Sequence, residues 1–419
     1  MDLPLNISAI PKGRFALAFS GGGDSTALLH ALRGKEPYVL IVDHGLRRGS
    51  ADEARAAAAF AGSLGLTSEV LRWSPPKGLS SVQAKARIAR YEMMGRRCRA
   101  LGLSALLTGH TLDDQAETVL MRVEAGGSWR GAAAMRAVTI SPLWPQLWGI
   151  TVYRPMLKIT RAAVRQYLSA QALPYTDDPS NQNRDFSRVR ARGALLNNAQ
   201  LRQEMIDLGA DIRCGRRAER ARFASVIKRG VSADEFGCLY IQTPVAPYLL
   251  GRLLRAASGA NTTASTAPLK SLRAAMAAPD FKGATLGGAL VMPRERASGA
   301  GGFVISRDPV MAFGRKGQAP LAARAPAQED MMWDGRFALN HIAGREPNMS
   351  VSVAAGRLGA LSPVLKRGLK ACPVQARPTL PLFLKGSDIT GIGPLTSLHD
   401  GSVLAQSMVM ARLLGEFKA

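Results

Sequence analysis

Cysteine, histidine, aromatic side chains and carboxylates are all scarce in this chain of 419 residues. Its four cysteines, Cys98, Cys214, Cys238 and Cys372, stand far apart with no CxxC pair. That spacing argues against a disulfide framework and against a thiolate zinc site. Five histidines are scattered with no HExxH pattern, so any metal is expected to arrive with a nucleotide. Aromatic content of 6% makes broad base stacking a poor expectation. No apolar run approaches the ~20 residues that a membrane helix needs. Residues 1–14 lack a basic start, an apolar stretch and a small-residue cleavage site. A soluble, cytoplasmic protein is expected. The 31 acidic residues face 55 Lys and Arg, a formal charge of +24. Such a surplus attracts polyanions and makes binding salt-dependent, so nucleic acid is the expected partner class. The bland alternative is a basic composition inherited from a GC-rich genome.

Hydrophobic content of 47% suffices for globular burial, and the length implies two or three domains. Residues 1–200 alternate between strand and helix patterns. Phe15–Phe19, Tyr38–Val42, Thr67–Trp73 and Leu103–Thr108 read as strands, and Ser25–Arg33, Asp52–Ala61 and Val82–Arg99 as helices. The first strand–helix–strand unit spans about 30 residues, which predicts a doubly wound parallel sheet, an α/β fold. From residue 201 the character shifts to a basic, mainly helical region, 201–325, and then to a small α+β piece, 326–419.

Ser20-Gly21-Gly22-Gly23-Asp24-Ser25 lies between the first strand and its helix. Three glycines allow close backbone approach to a phosphate, and free N–H groups with the helix dipole favour an anion. The loop is neither a Walker A sequence nor GxGxxG. Asp24 is the odd member, because a carboxylate beside phosphates is repulsive unless Mg²⁺ bridges them.

Further along come Val42-Asp43-His44-Gly45-Leu46-Arg47, Ala86-Arg87-Ile88-Ala89-Arg90-Tyr91 and Thr108-Gly109-His110-Thr111-Leu112-Asp113-Asp114-Gln115-Ala116-Glu117-Thr118. Arg154-Pro155-Met156-Leu157 and Asp178-Pro179-Ser180-Asn181 follow. The loop resembles the SGGxDS loop of the N-type ATP pyrophosphatases, and the ordered set resembles their tRNA(Ile)-lysidine synthetase branch over about the first 195 residues. Thr285–Gly288 and Trp333–Arg336 are similar to looser C-terminal regions of that branch. The family's Arg-Gly-Ser-Gly stretch stands here as Ala125-Gly126-Gly127-Ser128, with Arg130 displaced.

The resemblance implies an ATP-dependent ligase. The C2 oxygen of the wobble cytidine in a CAU-anticodon isoleucine tRNA attacks the α-phosphorus, and free L-lysine then displaces AMP. It implies ATP at Ser20, Gly21, Gly22, Gly23, Asp24 and Ser25 with Asp43, His44 and His110 close by, and Mg²⁺ at Asp24. Asp113, Asp114 and Glu117 would hold the lysine ammonium, and Asp113 and Glu117 share a helix face. Arg87 and Arg90 would act at the ATP phosphates or the anticodon. Arg188, Arg190 and Arg192, with Arg216 and Arg217, are expected to grip tRNA phosphates, which positions RNA without reading its sequence. A homodimer is the expected assembly. Two rivals are a PP-loop tRNA thiolase, which generally needs paired cysteines or a persulfide-carrying thiol, and a basic RNA-binding protein with an inactive ATPase domain.

Overall fold

The structure, a computed structural model, describes residues 2–46, 49–74, 82–126, 129–176, 187–294, 301–314, 319–324, 330–339, 349–395 and 405–417. Asp178–Asn181, Arg47, Gly127 and Ser128 lie outside the described residues. The chain divides into two compact units, Met1–Ala221 and Arg222–Lys418.

In the first unit the strands are β1 (Ala16–Phe19), β2 (Tyr38–Asp43), β3 (Ser68–Arg72), β4 (Ala105–Leu107), β5 (Val138–Ile140) and β6 (Thr151–Tyr153). They form one sheet in the order β3-β2-β1-β4-β6-β5. Pairing is parallel except for β5, which runs antiparallel to β6. The helices are α1 (Gly23–Leu32), α2 (Ser50–Ser63), α3 (Val82–Ala100), α4 (Leu112–Glu124), α5 (Arg161–Ala170), α6 (Ser187–Leu196) and α7 (Ala199–Gly230).

Strands covered on both faces must be apolar on both, and β1, β2 and β4 are. One face sends Leu17, Val39, Ile41 and Leu107 against Leu28 of α1 and Val164 and Leu168 of α5. The other sends Ala16, Leu40 and Leu106 against Tyr91, Met94 and Cys98 of α3. Burying each large side chain contributes roughly 1.5–3 kcal/mol before the entropy of ordering it is set against it. The chain leaves β1 toward β2 on one side and reaches β4 on the other. The crevice beyond the carboxyl ends of β1 and β4 is therefore the switch point at which such sheets bind ligands.

The second unit opens with β7 (Val231–Ala233), β8 (Leu239–Ile241), α8 (Pro247–Ser258), α9 (Thr266–Met276), β9 (Ala284–Leu286), β10 (Ala289–Arg294) and β11 (Gly302–Arg307). The strands make an antiparallel sheet in the order β7-β8-β11-β10-β9. Leu249, Leu250, Leu253 and Leu254 put a helical stripe of α8 onto Val291 and Ile305. A four-stranded and a three-stranded sheet complete the unit. Two segments singled out in the sequence prove to be hairpin turns. Gly287 and Gly288 both have positive φ between β9 and β10. Asp334 and Gly335 do the same in the three-residue turn between Met331–Trp333 and Phe337–Leu339. Arg336, buried in that turn, donates to Asp334 at 2.9 Å and to the Thr379 carbonyl at 2.6 Å.

Candidate active site

The loop after β1 closes on its own hydroxyls. Ser25 Oγ donates to the Gly22 carbonyl at 2.9 Å and accepts from Ser20 N at 3.3 Å, and Ser20 Oγ accepts from Gly22 N at 3.4 Å. Gly21 has φ +74°, a conformation that L side chains rarely adopt. A Cβ on Gly23 would stand 3.1 Å from Arg165 and from Leu168 of α5. The first turn of α1 thus points N–H groups without intrahelical partners into the switch-point crevice. Gly109 comes from the facing loop after β4. A Cβ there would lie 3.0 Å from the Asp24 carbonyl oxygen, so the two loops meet backbone to backbone.

Beside this loop lies an array of carboxylates. Thr111 caps α4 in a capping box with Asp114, whose Oδ2 accepts from Thr111 N at 2.7 Å. Asp114 Oδ1 accepts from Arg161 Nη2 at 2.9 Å and Arg188 Nη2 at 2.8 Å. Glu117, buried one turn on, accepts from Arg161 Nη1 at 3.2 Å, Arg188 Nε at 2.8 Å and Arg192 Nε at 2.8 Å. Asp113 accepts the Arg161 backbone N–H at 2.6 Å and lies 3.7 Å from Arg202. Burial works to raise the Asp114 carboxyl, but Arg188, Arg161 and the Thr111 hydrogen bonds hold it below the usual range. Asp24 behaves in the opposite way: burial pushes it up to about 6, against the pull of Arg161 at 3.6 Å. The cavity between Asp113, Glu117, Arg161 and Arg192 is about 10 Å³, room for one water at most.

Arg188 and Arg192 therefore rest on α4 acids, with Ala191 and Leu195 of the same α6 packed against Ala116 and Leu120. Arg190 and Arg217 are exposed, and Arg216 donates to the Arg130 carbonyl at 3.0 Å. Arg130 itself makes a forked pair with Glu219. Arg161 was not singled out from the sequence, although a signal was there. A cation at the first position of a helix opposes the dipole and calls for nearby acids.

A second, strongly positive group adjoins the array. Arg87 and Arg90 of α3 lie over the Tyr91 ring, at 5.1 and 5.4 Å. His110 shares a hydrogen bond with Thr108 Oγ1 at 2.8 Å. Burial first, and then Arg154, Arg188, Arg87 and Arg90, hold its imidazole well below the ordinary value, so it is neutral. Buried Tyr91 is also shifted down: burial opposes the shift, and the same four arginines outweigh it. At the end of β2, buried Asp43 accepts from Gly45 N at 3.0 Å, and His44 meets the Trp73 ring edge-on. Arg154, which opens the Arg154-Pro155-Met156-Leu157 motif but carries no assigned role from the sequence, is buried and donates to the Arg136 carbonyl and to Thr139.

The two cysteines of the first unit differ in their surroundings. Cys98 is buried in the α3 packing, where desolvation pushes its thiol up to about 12, and Cys214 is exposed on α7. Among the described residues no group of three or more His, Cys, Asp or Glu could hold a metal, and no helix is long and apolar enough to cross a membrane.

Residues 5–199 match the PP-loop domain family. A tRNA(Ile)-lysidine synthase of Hyphomonas neptunium is 35% identical, over 70% of this chain and 81% of its own. Another, of Mesorhizobium japonicum, is 31% identical over 95% of this chain and 91% of its own. Among solved structures, a U34-tRNA thiolase of Methanococcus maripaludis is similar at 17% identity and a TM-score of 0.41, covering 50% of this chain and 76% of that one. A PP-loop at the switch point, an acid array beside it and relatives matched nearly end to end agree: the chain belongs to the tRNA(Ile)-lysidine synthase family.

Proposed function

We propose that this protein joins free lysine to C2 of the wobble cytidine of CAU-anticodon isoleucine tRNA, with ATP consumed to AMP and pyrophosphate. It is an ATP-using ligase that modifies isoleucine tRNA, as its family membership carries. The observation that supports the finer assignment is the buried set of Asp114 and Glu117 beside the SGGGDS loop, with guanidinium groups already seated on it. Carboxylates that hold three guanidinium groups are chemically suited to an alkylammonium ion.

In the proposed reaction the cytidine C2 oxygen attacks the α-phosphorus, and pyrophosphate leaves. Adenylation turns that oxygen into a good leaving group. The lysine amine then forms the C2–N bond, loses a proton, and AMP departs with the oxygen. The protein's part is alignment and charge neutralisation. Backbone N–H groups from Gly22 to Ser25 would hold phosphate. Asp43, His44 and neutral His110 would border the nucleotide. Arg87, with Arg90 beside it, would offset charge on phosphate or on the approaching anticodon. Arg188 and Arg192, which bond Asp114 and Glu117, would border the lysine, whereas Arg190, Arg216 and Arg217 would serve tRNA phosphates.

Magnesium fits this site at one point, Asp24. A carboxyl raised to about 6 by burial gains from a neighbouring cation, and the ion's remaining ligands would be phosphate oxygens and water. When bound, it would offset the charge of the leaving pyrophosphate. The cavity lined by Asp113, Glu117, Arg161 and Arg192 has room for about one water, so a lysine seated there would require Arg192 to yield. The test is pyrophosphate release with Mg²⁺-ATP. Release that rises on adding CAU-anticodon isoleucine tRNA is expected; release indifferent to tRNA would refute the assignment.

A further inference from the structure

One guanidinium reaches both halves of the site. Arg161 Nε lies 3.6 Å from Asp24, Nη2 lies 2.9 Å from Asp114, and Nη1 lies 3.2 Å from Glu117. Its backbone N–H donates to Asp113 at 2.6 Å. Asp24 belongs to the nucleotide loop at the start of α1, the other three acids to α4, and Arg161 itself to a third element, α5. The ion pairs of Arg188 and Arg192 run to Asp114 and Glu117, whereas those of Arg161 run to Asp24 as well. The α4 and α5 starts are further tied by Leu112 N donating to the Ile159 carbonyl at 2.9 Å. Thr160 caps α5 through Ala163 N at 3.1 Å, which fixes where Arg161 emerges.

We propose that Arg161 is a positioning residue that sets the separation between the nucleotide loop and the acid face of α4, so that ATP and lysine are held in register. The proposal rests on the ligase reading above. Three side-chain carboxylates in one partly desolvated cluster repel one another, and a planar fork with donors in fixed directions holds them at set positions. A lysine side chain, a single point charge, cannot reproduce that fork. A residue serving only the ATP half would alter ATP use alone. A residue serving only the fold would lower the melting temperature and the active fraction. A bridge alters both substrates together.

The test compares the full-length wild type with Arg161→Gln and Arg161→Lys, measuring KM for ATP, lysine and tRNA, direct ATP binding without lysine or tRNA, and thermal melting. The expected result for Arg161→Gln is a rise of about tenfold or more in KM for both ATP and lysine, with KM for tRNA held within about twofold. Arg161→Lys recovers part of the loss for each. If Arg161→Gln does not fold, the same joint rise is required of Arg161→Lys. A change in KM for only one of ATP and lysine, or a fall in melting temperature and kcat with both KM values unchanged, overturns the proposal. Weakened ATP binding in Arg161→Lys reads the nucleotide side of the bridge even if the wild type transferred no lysine, a result that would instead defeat the ligase reading.

Discussion

Arg188 donates to Glu117 through Nε at 2.8 Å, and Glu117 is buried while it does so. Two further arginines share that carboxylate, so its removal leaves partly buried positive charges facing each other. Glu117→Ala is expected to lose about 3 kcal/mol of stability, as for other buried pairs deprived of one partner, together with lysine transfer. Urea melts check the first part. A variant as stable as the wild type would show that solvent, not Glu117, balances these arginines.

Asp24 makes the apo protein's stability depend on pH in an unusual direction. Its carboxyl is raised from 3.8 to about 6, so the native state binds the proton more tightly than the unfolded chain. The resulting stabilisation is full below about 3.8 and is lost as pH rises through about 6. Asp24→Asn cannot ionise. In magnesium-free, nucleotide-free buffer, its stability advantage over the wild type should therefore grow between pH 4 and pH 7. Parallel stability curves across that window would show that Asp24 is not held in this way.

Gly109 tests the meeting of the two loops. Its Cβ position is 3.0 Å from the Asp24 carbonyl oxygen and 3.2 Å from Ser25 Cα, backbone atoms that cannot swing aside. Gly109→Ala should cost roughly 1–3 kcal/mol and weaken ATP binding at least severalfold. Gly34→Ala, with nothing within 4 Å, serves as the control and should leave ATP binding unchanged. Equilibrium ATP binding to the two variants decides the point, and equal affinities would remove the proposed contact from the site.

Cys98 separates ligase from thiolase. A thiol pushed up to about 12 is not a nucleophile at neutral pH, so Cys98→Ala should keep lysine transfer within about twofold at a stability cost of roughly 1 kcal/mol. Alkylation of the folded protein should reach exposed Cys214 well before Cys98. Mass mapping after brief iodoacetamide treatment reads this out, and rapid labelling of Cys98 with loss of activity would count against it.

Much of the first unit was legible because its signals are local. Apolar runs such as Tyr38–Val42, each followed by a helix pattern, placed β1 to β4 and α1 to α3 within a few residues. The acids of α4 stood out by motif. What they touch did not, because Arg161, Arg188 and Arg192 are brought to Glu117 from 44 to 75 residues away by the packing of α5 and α6. The sheets of the second unit were harder still. Several of their strands are three residues long, too short for a period-two pattern, and the motifs Thr285–Gly288 and Trp333–Arg336 do not by themselves reveal that their glycines serve hairpin turns.

The central claim is tested most directly by incubating the protein with ATP, Mg²⁺, radiolabelled lysine and isoleucine tRNA bearing CAU, with methionine tRNAs of the same anticodon in parallel. The account predicts ATP-dependent incorporation of label into the isoleucine tRNA, abolished by replacing the wobble cytidine. No lysine transferred to that tRNA by protein that binds ATP would contradict it.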